Sequence, residues 1–159
     1  FPIGHQGLSH KHFFVKQGNP WRYTDLSSLN ELTSIGIMLA YDYGEANVFF
    51  KNNPDRVNVM TGDNMLMLTI KQLKLERIQA FPDDIAVVSH MLSKMQIPPG
   101  LIIDAGKLGK ANKVYVAFSP KINDSESYAE MLTQGVHKLR QSGKLDEIMD
   151  KYGMKDWLE

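Results

Sequence analysis

The fold class predicted from this sequence is α/β with a mostly parallel sheet, and three observations lead to it. Short apolar runs alternate with amphipathic stretches between Ile35 and Met95, the pattern of βαβ units. Hydrophobic residues make up 43% of 159 positions, enough for a packed core in a chain the size of one ordinary domain. From Asn123 onward strand patterning gives way to helical stripes.

The elements follow in order. Residues 1–10 contain Pro2, Gly4 and Gly7 and predict an irregular lead-in. Phe13-Phe14-Val15 predicts a strand, ended by Gln17-Gly18-Asn19-Pro20. Leu26–Leu32 predicts a short helix capped by Asp25 or Ser27. Three strand–helix pairs come next: Ile35–Ala40 with Tyr43–Lys51, Arg56–Met60 with Asn64–Leu75, and Arg77–Phe81 with Pro82–Met95. Leu101–Asp104 predicts a further short strand, Gly106–Asn112 a turn-rich loop, and Val114–Phe118 a strand closed by Ser119-Pro120. Two helices finish the chain. Tyr128, Met131, Leu132, Val136 and Leu139 form the stripe of the first, which Gly143 ends. Leu145, Ile148, Met149 and Tyr152 form the second, ended by Gly153.

Composition excludes several functions. Eighteen Lys and Arg cancel eighteen Asp and Glu, so no broad electrostatic grip on nucleic acid or anionic lipid is expected, and the local lysines read as a solvated face. Without cysteine there is no disulfide framework, thiolate metal site or cysteine nucleophile. No apolar run reaches the roughly 18 residues of a membrane span. The chain as given starts at Phe1 without a basic or apolar leader and so carries no signal peptide. Nine methionines, several in Met60–Met67, are read as adaptable core filler ahead of a Met-lined ligand site.

Right-handed crossovers bring the three strand-to-helix turns to one sheet edge, where ligands of open α/β sheets bind. Those turns are Ala40-Tyr41-Asp42-Tyr43-Gly44, Thr61-Gly62-Asp63-Asn64 and Phe81-Pro82-Asp83-Asp84. Each acidic residue has a structural reading. Asp63 suits an N-cap, Pro82 the first helical position, and Asp83 and Asp84 the first-turn dipole. The functional reading gives Asp83 a ligand ammonium rather than a phosphate. No nucleotide-binding glycine motif, P-loop or nucleophile elbow is present, and adjacent Asp83 and Asp84 diverge on a helix. His10 and His12 share a strand face, yet no spaced carboxylate joins them, so exposed linker histidines are preferred to a metal site. No metal and no cofactor is expected.

Taken in order, Phe13-Phe14-Val15, Gly18-Asn19-Pro20-Trp21, Ile35-Gly36-Ile37, Val57–Gly62, Arg77–Phe81, Val114–Ser119 and the closing Gly143-Lys-Leu-Asp-Glu-Ile…Lys151-Tyr-Gly153 carry a resemblance. The chain resembles the type 2 periplasmic solute-binding proteins, in particular the family 3 extracellular binding proteins for polar amino acids. The resemblance covers nearly the whole chain. It implies a periplasmic-binding-protein-like II fold of two lobes joined by hinge strands. Residues 1–17 would be lead-in and outward hinge strand (His12–Gln17), 18–112 lobe two, 113–119 the return hinge strand, and 120–159 helices of lobe one. The first part of lobe one has no counterpart here.

The resemblance further implies a non-enzymatic protein that captures a small polar ligand outside the cytoplasm for a transporter permease. Tyr41, Asp42, Thr61 and Asp83 match the ligand-binding positions of lobe two. Tyr41 and Asp42 replace the family's usual glycine and hydroxyl, and an Asp there repels a ligand carboxylate. Alternatives on the same fold are a ligand-sensing module of a signalling protein and, last, a dehydratase-type enzyme. With part of lobe one missing, self-association through the C-terminal helices is expected, by their exchange between chains.

Overall fold

The computed structural model describes residues 1–152 and 154–158. Its chain divides into two units, one formed by His10–Lys110 and one by Phe1–Ser9 with the chain from Ala111 on.

The first unit is organised by strand β2, Lys11–Lys16. Its centre, Phe13-Phe14-Val15, is buried. Successive side chains point to opposite faces of a strand. Phe13 and Val15 therefore enter one core cluster, with Trp21, Tyr23, Leu29, Ile35 and Tyr43. Phe14 enters another, with Ile70, Leu73, Phe81 and Val88. Burial of each large side chain contributes about 1.5–3 kcal/mol. Trp21 Nε1 donates to Ser28 O at 2.9 Å, satisfying the buried indole.

Five strands make the sheet, in the order β4-β3-β5-β2-β6. Strands β3 (Ile35–Met38), β4 (Val57–Met60) and β5 (Ala80–Asp84) run parallel, as the βαβ rhythm predicts. Between them come α1 (Ala46–Asn52) and α2 (Met65–Lys74), and α3 (Ile85–Lys94) follows β5. Strand β2 pairs antiparallel with both β5 and β6 (Ile102–Lys107), so the sheet is mixed. Asp25 caps the short 3-10 turn Leu26–Glu31 by accepting from Ser27 N–H, as expected. Met60, Met65, Met91 and Met95 pack against the second cluster, the filler role read from sequence.

Several boundaries depart from expectation. Strand β5 lies three residues later than Arg77–Phe81, and α3 starts at Ile85 rather than Pro82. The cause is antiparallel pairing with β2, which holds Pro82 opposite Phe13 and Asp83 opposite His12. Proline is tolerated because β5 meets β3 at Ala80, leaving its later residues free of a ladder on that side. Strand β6 extends through Gly106-Lys107, into the expected loop. Helix α1 starts three residues after Tyr43.

In the second unit, β1 (Gly7–Ser9) pairs antiparallel with β7 (Asn112–Val114). The lead-in thus contains a strand, and β7 starts two residues before the strand expected at Val114–Phe118 and shares only Val114 with it, because β1 pairs with Asn112–Val114. Helices α4 (Ser125–Gln141) and α5 (Lys144–Asp150) flank Gly143, whose φ of +73° ends α4 as expected. The stop expected at Gly153 lies outside the described residues. Arg140 makes a two-pronged pair with Asp156 and lies 5.3 Å from the centre of the Trp157 ring. Trp157 Nε1 donates to His5 O, joining the C-terminal segment to the lead-in.

Two backbone positions make a paired stability test. Gly106 has φ +123°, and a Cβ there would stand 2.5 Å from Tyr23 O. Ala40 holds φ +63° with a side chain attached. Gly106→Ala is expected to cost at least about 2 kcal/mol, whereas Ala40→Gly should leave stability unchanged or raise it by up to about 1 kcal/mol. Denaturant unfolding of the two variants checks both signs.

Candidate functional site

The parallel strands β3, β4 and β5 end at one edge of the His10–Lys110 sheet. Met38 is level with Met60, and β5 runs on past its Ile35–Ala80 pairing to Asp83 and Asp84 at the same end of the sheet. Antiparallel pairing returns Lys11 and His12 of β2, and Lys107 of β6, to the same edge. The topology thus brings Tyr41, Asp42, Thr61 and Asp83 to one edge.

Their surroundings differ. Tyr41 is exposed, its ring centre 6.4 Å from that of Tyr43. Asp42 is also exposed, and its Oδ1 accepts from Gly44 N–H and Asn47 Nδ2. These bonds hold its carboxyl below the ordinary range, and they give it a turn-stabilising task. Thr61 lies exposed beyond β4. The expected cap at Asp63 is not formed: Asn64 occupies the N-cap of α2, without a side-chain bond.

Asp83 is only 4% exposed. Its Oδ1 accepts from Asp84 N–H at 2.7 Å. Burial pushes its carboxyl up to about 6, against the downward pull of that backbone bond, with the Asp84 charge adding to the rise. Asp84 has the structural role that the sequence had divided between the two residues. Its Oδ1 accepts from Ala86 and Val87 N–H as the N-cap of α3, and its Oδ2 accepts from His10 N–H. Asp83 therefore sits in a strand and not in the first helical turn, a correction that follows from the β2–β5 register.

Sequence reasoning missed Lys11 and Tyr43 as neighbours of this edge, and its reading of His10 and His12 as exposed linker histidines is corrected: both are partly buried, and His12 lies within β2 beside the carboxylate of Asp104. Lys11 acts on both Asp42 and Asp83, lowering each. The buried Tyr43 hydroxyl accepts from Met38 N–H at 2.7 Å, and burial raises its phenol above the ordinary value, with Asp83 adding to the effect. His12 Nδ1 lies 2.8 Å from Asp104 Oδ2. The alternation of β2 was visible, but its register against β5 and β6 was not. Among the described residues no group of three or more His, Cys, Asp or Glu is arranged to hold a metal, and no helix is long and apolar enough to cross a membrane. A cavity of about 600 Å³ lies in the other unit, between Phe1, Phe118 and α4. None of the four candidate residues lines it, and the convergence of polar groups favours the sheet edge as the site.

The α/β architecture that produces this edge is that of a periplasmic-binding-protein-like fold. Solved structures of that class match. The probable amino-acid ABC transporter extracellular-binding protein ytmK from Bacillus subtilis aligns with TM-score 0.71 and 14% identity, over 99% of this chain and 65% of that one. An ancestral arginine-binding protein bound to arginine aligns with TM-score 0.66 and 21% identity, over 94% and 62%. A histidine kinase sensor domain with similarity to periplasmic binding proteins aligns with TM-score 0.66 and 9% identity, over 98% and 64%. At these identities the likeness shows the fold. The chain spans about 60–65% of the length of these structures. No protein-family profile matches the sequence, and neither does any curated protein.

The raised carboxyl makes a signed prediction. Folded Asp83 titrates near 6, while an unfolded aspartate titrates near 4, so between about pH 4 and 6 the folded state holds the extra proton. Its contribution to stability is therefore full below about pH 4 and lost as pH rises through 6. In urea titrations at fixed pH, Asp83→Asn should remove a pH-dependent fall of at most roughly 2–3 kcal/mol across that window.

Proposed function

We propose that this chain is a solute-binding protein, or the greater part of one, that captures a small polar, amino-acid-like ligand outside the cytoplasm and passes it to the permease of an ABC uptake transporter. The observation that carries the reading is Asp83: a buried carboxyl at the ligand edge that accepts a backbone N–H, with no ion pair to Lys11 among the described residues. Burial of a carboxyl without a cation is unfavourable, and a ligand ammonium relieves it. Tyr41 and Thr61, exposed at the same edge, supply an aromatic face and a hydroxyl. Capture is non-covalent and is followed by hinge closure.

The arginine-binding and amino-acid-transporter structures support this ligand class. The histidine kinase sensor domain supports a second reading, in which the same capture event reports to a signalling partner. A dehydratase activity ranks last, because Asp84 is committed to capping α3 and leaves Asp83 without an acid–base partner of its own kind.

Self-association belongs to the same proposal. In α4 only Ala129 is buried, and in α5 only Leu145, while Tyr128, Met131 and Ile148 are exposed. A second copy of the chain covers this face, by exchange of the C-terminal helices.

Isothermal calorimetry with amino acids and polyamines tests the ligand reading. Asp83→Ala should weaken whichever compound binds by at least about tenfold, since a charge-assisted bond is lost. Undiminished affinity removes Asp83 from the site. Static light scattering at micromolar concentration should give a mass above one chain, and a clean monomer refutes the association.

A further inference from the structure

Strands β6, β2 and β5 lie side by side, and each contributes one polar side chain near the ligand edge: Asp104, His12 and Asp83. The β2–β5 register pairs Phe14 with Phe81 and His12 with Asp83. Phe14 and Phe81 stack with ring centres 5.4 Å apart in the second core cluster. Two residues along a strand returns to the same face, so His12 and Asp83 are cross-strand neighbours on that face, in the position whose Cβ atoms lie about 4.5–5.5 Å apart.

Asp104 is held in a definite place. Its Oδ1 accepts from Gly106 N–H at 2.8 Å, and its Oδ2 lies 2.8 Å from His12 Nδ1. The β2–β6 ladder is irregular between Phe13 and Phe14, which sets Asp104 beside His12. A carboxylate only accepts hydrogen bonds, so the proton of a neutral His12 ring is on Nδ1 and Nε2 is left with a lone pair. The His12 side chain retains 16% exposure, that of Asp104 42%.

We propose that His12 is a second acceptor of the ligand site, beside Asp83, and that Asp104 is the positioning residue that fixes its tautomer. The inference rests on the solute-binding reading and sharpens its ligand class. Two acceptors, a carboxylate and an imidazole Nε2, suit an end group rich in N–H donors, a guanidinium or a primary ammonium. They do not suit a carboxylate end group. Lys11, on the opposite face of β2, and Lys107, opposite His12 on β6, are the cations at this edge.

The test uses the full chain with arginine, putrescine and glutamate as probes. Long-range proton–nitrogen NMR of the histidine rings should show His12 as the Nδ1–H tautomer. Asp104→Ala should mix the tautomers, and Asp104→Glu, which keeps two acceptor oxygens for Gly106 N–H and His12 Nδ1, should restore the wild-type pattern. Calorimetry should find arginine or putrescine bound and glutamate not. That affinity should fall by about tenfold in both His12→Ala and Asp104→Ala, and recover in Asp104→Glu. An Nε2–H tautomer in the wild type overturns the inference whether or not any probe binds. Binding that survives His12→Ala unchanged overturns it while leaving the solute-binding reading intact. No binding of any probe to a folded wild-type chain defeats both.

Discussion

The burial of Phe13, Phe14 and Val15 in consecutive positions of one strand is the constraint around which the larger unit is organised. Because alternate side chains leave a strand on opposite faces, these residues require apolar cover on both sides. One side is covered by Trp21, Tyr23 and the segment around α1, the other by α2 and α3. A strand apolar on both faces belongs inside a sheet, and β2 has β5 on one side and β6 on the other. A slip of one residue would exchange Phe13 for Phe14 and send His12 and Lys11 to the wrong faces. The register of the whole sheet is therefore tied to this packing.

The polar edge is a consequence of that register. Pairing with β2 extends β5 to Asp84, so Asp83 stays in the sheet, buried, while Asp84 turns the chain into α3. Two adjacent, chemically identical residues thereby acquire different tasks. One carboxyl caps a helix and also receives the backbone N–H of His10, just before β2. The other is desolvated next to Tyr43, and its proton affinity rises. The division comes from position in the sheet and not from any difference in side chain.

The two units solve different packing problems. The His10–Lys110 unit buries large side chains on both faces of its sheet. The unit containing α4 and α5 relies on a two-stranded ladder, the Arg140–Asp156 pair with Trp157 above it, and few buried apolar residues. Ion pairs of this kind add little to stability where water reaches them. Tyr128 and Met131 of the α4 stripe are exposed, and Leu132, Val136 and Leu139 are only partly buried, which is the physical basis for expecting an apolar partner there.

Much of the architecture was legible locally. Helical spacing marked α2, α3 and α4, apolar runs marked β2, β3 and β4, and Asp25 and Gly143 announced their caps, because these signals depend on residues within a few positions of one another. The convergence of Tyr41, Asp42, Thr61 and Asp83 on one edge also followed from the alternation of strand and helix, given the handedness of crossovers. What the sequence could not express was register. Whether Pro82 and Asp83 begin a helix or finish a strand depends on Phe13 and His12, some seventy residues away. The pairing of His12 with Asp104 depends on an irregularity between β2 and β6. Such placements are decided by how two distant segments share a core, which at Pro82 and Asp83 overrides a local preference for a helix start. The amino-acid order thus established an α/β chain with a polar edge, and tertiary packing selected which of its carboxyls is buried at that edge.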